Sequence, residues 1–197
     1  MAQVPLTLRR WQRAEYDRLV DLGVFAGEPI ELIGGQLLVA EPQGAYHAST
    51  VGMVDDALRA MLPAGWLVRC QAPLSLDDES EPEPDLAVVP GRRADYLGAH
   101  PSRPALLVEV ADSSLAFDRE EKGSLYARAG VADYWIVNLV DHVLEVLRAP
   151  VPEPTAPYGW RYASVERLGP TAAVTPLAFP DRPIAVSDLL PSRPPAT

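Results

Sequence analysis

The chain has 197 residues, 48% hydrophobic and 22% charged, with a formal net charge of −10. That length suits one domain with a core of its own, and the acidic balance excludes a protein that coats nucleic acid through a broad basic surface. A single cysteine, Cys70, excludes an internal disulfide and any cysteine-rich metal site, and points to a reducing cytoplasm. The opening MAQVPLTLRRWQ turns polar at once, which is no secretory pattern. No apolar run approaches the roughly 20 residues that span a bilayer, so no membrane partner is expected.

In chain order, Thr7 is placed to cap a helix running to about Leu22, with Leu8, Trp11, Leu19 and Leu22 near helical spacing and Gly23 ending it. PIELIGGQLLVA, Pro29 to Ala40, reads as a hairpin around Gly34-Gly35. HASTVGMVDDALRAML is a second helix with Val51, Val54, Leu58 and Leu62 on one face, stopped by Pro63 and Gly65. Strands follow. WLVRCQAPLSL alternates Val68, Cys70, Ala72, Leu74 and Leu76 on one side, which puts Cys70 in the core; PDLAVV is short and apolar; ALLVEVAD is a near-continuous apolar run. A helix is expected from Asp118 to about Ala129, opened by a capping box of Asp118 and Glu121.

DYWIVNL and HVLEVLRA are two more strands, VPEPTAP a surface loop, and GWRYASVERLG an edge strand. Ser187 in AVSDLL offers the cap of a last short helix, and PSRPPAT is a loose tail. The order gives one α/β domain over residues 1–190, a central mixed β-sheet flanked by helices, with a flexible tail at 191–197.

Three carboxylates stand in costly places. Glu109 lies inside LLVEVA, where a central strand should be unbroken apolar, so it needs a cation, a hydrogen-bond partner or an exposed face. Asp85 opens PDLAVV at a strand mouth, a position a simple turn would also explain; the acidic run before it reads as a solvated loop. Glu31 lies between Ile30 and Leu32 and points away from both, either to solvent or to a site.

Lys122 is the single lysine of a chain with 16 arginines. On a helix from Asp118 it shares a face with Leu125, Tyr126 and Ala129, the apolar face that packs on the sheet. A lysine snorkelling at the sheet edge would fit the same spacing. An inward ammonium instead suggests a carboxylate partner within the fold, and it is compact where a guanidinium fork is not. Three acids from separate strands plus one inward lysine suit Mg²⁺ or Mn²⁺ rather than Zn²⁺, and such a set hydrolyses phosphodiesters.

EPEPDLAVV, LLVEVADSS and DREEKGSLYARAGVADYWIVN, with IELIGGQLLVAEPQGAYHAST before them, strongly resemble the Uma2 type of restriction-endonuclease-like protein in the PD-(D/E)XK nuclease superfamily. The resemblance covers roughly Thr7 to Leu147. It implies a restriction-endonuclease-like fold and a Mg²⁺- or Mn²⁺-dependent endonuclease acting on nucleic acid, DNA above all. It implies Asp85, Glu109 and the Val110 carbonyl as metal ligands, with Glu31 adding a ligand or orienting water. The superfamily lysine belongs two residues after the second acid; here Ala111 stands there, and the resemblance implies that Lys122 of the following helix replaces it. His47, Gln71 and Tyr126 are candidate substrate contacts, each with a plainer reading as cap or packing.

Two other classes stay open: a non-catalytic binding or regulatory module on the same fold, to which the net charge lends mild support, and a phosphoesterase acting on nucleotides or RNA. A homodimer is expected, because cutting two strands needs two sites, with the apolar YWIVNL and VLEVLRA as the pairing edge.

Overall fold

The structure, a computed structural model, describes residues 7–40 and 42–192. Helix α1 (Arg13–Asp21) precedes the hairpin β1 (Ile30–Ile33) and β2 (Gln36–Val39), which is followed by α2 (Ala45–Met61). Next come β3 (Trp66–Cys70), β4 (Leu86–Pro90), β5 (Leu106–Ala111) and a helical stretch, then β6 (Asp133–Asn138), β7 (Val143–Pro152) and β8 (Trp160–Leu168). The helical stretch is one turn, α3 (Leu115–Phe117), a π turn over Asp118–Lys122, and α4 (Gly123–Arg128). Two short strands, β9 (Ala173–Val174) and β10 (Ile184–Ala185), come next, and a 3₁₀ turn, Val186–Asp188, is the last element of the described chain.

Six strands form one mixed sheet in the order β3-β4-β5-β6-β7-β8. Only β5 and β6 are parallel, and the helical stretch between them is the crossover that a parallel pair requires. Both central strands are buried over their whole length, as their apolar runs demand. One sheet face packs Leu86, Val108, Val110 and Trp135 against Val51, Val54 and Leu58 of α2. The other packs Ala87, Leu107, Ala111 and Tyr134 against Leu125 and Tyr126 of α4 and Ile33 of the hairpin. Side chains two apart in a strand share a face. Glu109, between Leu107 and Ala111, therefore leaves the sheet toward α4, and Asp85, two before Ala87, does the same.

Several expectations are corrected. Helix α1 starts at Arg13, not after Thr7, because Gln12 and Glu15 form the capping box there while Trp11 N–H is bonded to the Gly35 carbonyl. Strand β3 ends at Cys70, because Gln71 adopts a left-handed backbone at φ 45°. The alternation breaks at that point, so Cys70 is exposed rather than core and Leu74 packs on the opposite face from Val68. The helix expected from Asp118 starts a turn earlier. Asp118 is buried inside it and caps nothing. Ser187 lies within the last 3₁₀ turn, whose cap is Ala185. Strands β6 and β7 each have a neighbour on both sides, so neither offers a pairing edge; the free edges are β3 and β8. Of the expected tail, residues 193–197 lie outside the described residues, and Pro191 before them is buried.

Candidate active site

The end of the sheet where β4 begins and β5 finishes opens into a cavity of about 610 Å³. Glu31, Asp85, Glu109, Val110, Lys122 and His47 all line it. Glu109 and Lys122 are buried to 3% and 8% residual exposure and Asp85 to 7%, so their charges are satisfied by one another and not by bulk water.

Lys122 Nζ lies 3.0 Å from Glu109 Oε1 and 3.8 Å from Glu31 Oε2. Burial opposes its charge, but Glu109, Glu31 and Asp118 outweigh burial and raise its pKa, so the ammonium form persists at neutral pH. Glu109 Oε1 also accepts from the Tyr126 hydroxyl at 2.7 Å, and its Oε2 accepts from Asp85 N–H at 3.2 Å. Burial pushes the Glu109 carboxyl up, Asp118 and Asp85 add to that, and Lys122 pulls the other way. Glu31 is itself fixed by accepting from Glu83 N–H at 3.0 Å.

Asp85 faces four donors. Its Oδ2 accepts from Val110 N–H at 2.9 Å and lies 3.3 Å from His47 Nε2, while Oδ1 receives the Gln71 amide at 3.3 Å and the Gln43 amide at 3.5 Å. Burial works against its charge, yet His47, Val110 N–H and Lys122 together hold Asp85 below the usual carboxylate range. The hydrogen bond that His47 donates to Asp85 in turn raises the His47 pKa. Val110, next to Glu109, thus touches Asp85 through its own amide, lines the cavity, and also bonds His47 through its backbone.

The structure gathers Glu31, Asp85, Glu109, Val110, Lys122, His47 and Gln71 around one spot. Tyr126 belongs to the same cluster but stands behind Glu109, fully buried and away from the cavity wall. Asp118 and Gln43 were missed. Asp118 lines the cavity, accepts from Ser114 Oγ at 2.6 Å, and is raised by burial despite Lys122 nearby. Its spacing of four from Lys122, which puts both on one helix face, was the available signal. Nothing in the local sequence marks Gln43.

Six carboxylates line the cavity (Glu31, Glu83, Asp85, Glu109, Asp112 and Asp118) against one fixed cation, Lys122. That surplus suits a divalent cation in charge. Among the described residues, no group of three or more His, Cys, Asp and Glu side chains is gathered at metal-binding spacing. Mg²⁺ needs no such cage: it takes one or two carboxylates and keeps several waters. Asp85 and Glu109, linked through Asp85 N–H, fit that requirement.

A mixed sheet whose strands bring together an aspartate and a glutamate, with a lysine supplied by the crossover helix, has the architecture of a restriction-endonuclease-like nuclease. Residues 13–187 match the model of the Uma2 family, described as "Putative restriction endonuclease", and the chain belongs to that family. The match runs forty residues past Leu147, where the sequence resemblance ended, and takes in β8 to β10. Among solved structures, the chain is similar to one from Anabaena variabilis ATCC 29413 described as "a putative nuclease belonging to DUF820". The TM-score is 0.58 at 15% identity, over 81% of this chain and 88% of that one, a likeness of fold. No curated protein sequence matches the chain. No helix among the described residues is long and apolar enough to cross a membrane.

Proposed function

We propose that this chain is a Mg²⁺- or Mn²⁺-dependent endonuclease that hydrolyses phosphodiester bonds in DNA. The observation that carries the reading is Lys122, the single lysine, held 3.0 Å from Glu109 in the cavity that Asp85 and Glu31 also line. Asp85, Glu109 and the Val110 carbonyl would hold the ion. When bound, it would polarise a phosphoryl oxygen and lower the pKa of a bound water. Lys122 stays protonated, so it does not remove a proton. It presents a fixed positive charge to the charge that develops on the phosphoryl group. Glu31, positioned by Glu83 N–H, accepts a hydrogen bond from water near Lys122 and orients it. His47 and Gln71 stand at the mouth, where a substrate strand would pass.

Double-strand cutting calls for two such sites, and we include a homodimer in the reading. With β6 and β7 interior, pairing falls to the long free edge of β8. Sedimentation showing monomer alone at tens of micromolar would remove that part. The single cysteine, exposed and unpaired, accords with a reducing cytoplasm. The second reading, a module that kept the fold without catalysis, is favoured by the net charge of −10, which offers no broad basic surface to a nucleic acid. Calorimetry separates the two: the module binds no divalent ion at millimolar concentration.

The direct test is cleavage of plasmid DNA by the purified protein with Mg²⁺ or Mn²⁺, alongside RNA of the same length. The wild type should cut DNA, and Asp85→Asn and Lys122→Met should each lose about 100-fold or more. Undiminished cutting by both variants would eliminate this site; preferential cutting of RNA would reassign the substrate.

A further inference from the structure

A protein of net charge −10 with an acidic cavity needs local cations if it is to hold a polyanion. Most described arginines are neutralised by carboxylates, as Arg119 and Arg167 are by Glu145 and Arg148 is by Asp133. Arg69 and Arg93 have no carboxylate partner among the described residues.

Arg69 lies in β3 two residues before Gln71, which is bonded to Asp85 at the cavity mouth; Arg93 belongs to the turn after β4 whose Tyr96 ring lies beside Arg69. Arg69 stands in the outer strand β3, directly across from Ala87. Gln71 is across from Asp85, to whose carbonyl its N–H donates at 2.9 Å. Because residues two apart share a face, Arg69 leaves the sheet on the same side as Asp85 and Glu109. Two residues of strand rise is about 7 Å, matching about two nucleotides at 3.4 Å each.

The guanidinium of Arg69 sits over the Tyr96 ring at 5.9 Å, and its Nη2 donates to the Pro73 carbonyl at 3.3 Å and lies 3.5 Å from His100 Nδ1. Its buried Nε–H has no partner. Arg93 is exposed in the same 3₁₀ turn, Arg93–Tyr96, and its charge is felt at Arg69. Glu81, 3.8 Å from His100 Nε2, is the one carboxylate within 4 Å of a nitrogen of this cluster among the described residues; burial and the Arg69 charge lower the His100 pKa, so the imidazole offers a hydrogen bond rather than a charge.

We propose that Arg69, Arg93 and His100 form a phosphate-contact track along the β3 edge, gripping the nucleic-acid backbone about two nucleotides from the scissile bond. The proposal rests on the nuclease reading for its substrate class. It assigns the track to backbone positioning and not to base recognition.

The test uses two substrates. Binding of a fluorescein-labelled 20-mer DNA duplex is followed by anisotropy in EDTA over a series of salt concentrations. Turnover of bis(p-nitrophenyl) phosphate, a diester too small to reach β3, is followed with Mn²⁺. Arg69→Gln/Arg93→Gln should bind DNA about tenfold more weakly at low salt, with the slope of log K against log salt reduced by about 2. Arg93→Gln alone, at an exposed position that folding does not depend on, should reduce the slope by about 1. Both should turn over the small diester within about twofold of wild type, since neither residue lines the cavity. Unchanged DNA affinity and slope would overturn the track, and so would an equal loss on both substrates. A wild type that neither turns over the small diester nor cuts plasmid DNA with Mn²⁺ would sink the nuclease reading, while the anisotropy slopes would still decide the track.

Discussion

Two charged clusters, each built around a buried glutamate, stand on this sheet, and they are built to opposite rules. At the end of β6 and β7, Glu145 is gripped by Arg119, by Arg167 at 2.8 Å and by the Asn138 amide at 2.8 Å, with Asp141 bound to both arginines. Two guanidinium groups face two carboxylates there, and although burial opposes its charge, these donors hold Glu145 down to about 2. In the cavity, one ammonium faces Glu109, Glu31 and Asp118, and burial and mutual repulsion push Glu109 and Asp118 upward. The first cluster is closed: its acceptors are spent on forks of matching geometry. The second carries surplus negative charge with one compact cation, a state that costs stability and is relieved by a cation from outside. A site designed for stability would look like the first.

Breaking the contrast at its largest point means removing the cavity cation. Lys122→Met should lower the DNA cleavage rate by about 100- to 1000-fold. Lys122→Arg should fall on the same scale, because a planar fork does not fit the place of an ammonium 3.0 Å from Glu109; wild-type rates in the arginine variant would deny that an amine is required.

The closed cluster should respond in stability. Glu145→Ala leaves Arg119 and Arg167 without their buried partner and should cost about 2 kcal/mol in urea denaturation; both arginines are partly exposed, which keeps the loss below that of a fully buried pair.

Acid should sharpen the same point. The Glu145 carboxyl, at about 2 in the fold against an ordinary 4.5, binds a proton in the unfolded chain first. The stability it contributes is therefore complete above about pH 4.5 and lost as pH falls toward 2. Denaturation midpoints of wild type should drop across that window more steeply than those of Glu145→Gln, and parallel curves would contradict the assignment.

The smallest effect belongs to the ion itself. At tenfold above its dissociation constant, Mg²⁺ should raise the melting temperature by about 3 °C. Asp85→Asn should abolish the rise and Glu145→Gln should keep it.

The strands were legible because β5 and β6 are buried on both faces and must be written as apolar runs, which is also what made Glu109 conspicuous. Lys122 was legible through its rarity and its place on the inward stripe of a helix. Other features depend on contacts distant in sequence. Gln71 takes a left-handed turn at the end of β3, held by Asp85 through both its N–H and its amide, and no local pattern announces that. Asp118 followed the grammar of a cap, but the helix began earlier and turned it inward through a π turn, a device common at functional sites. The interior placement of β6 and β7 comes from the parallel crossover and from β8 closing the edge, neither of which the apolar pattern of those strands encodes.

Diffraction from crystals soaked in Mn²⁺, recorded at the manganese absorption edge, bears most directly on the claim that distant acids share one ion. An anomalous peak between the carboxylates of Asp85 and Glu109, about 2.1–2.3 Å from an oxygen of each and next to the Val110 carbonyl, is the expected result. Crystals that hold manganese elsewhere on the surface, with that position empty and Lys122 still paired to Glu109, would contradict it.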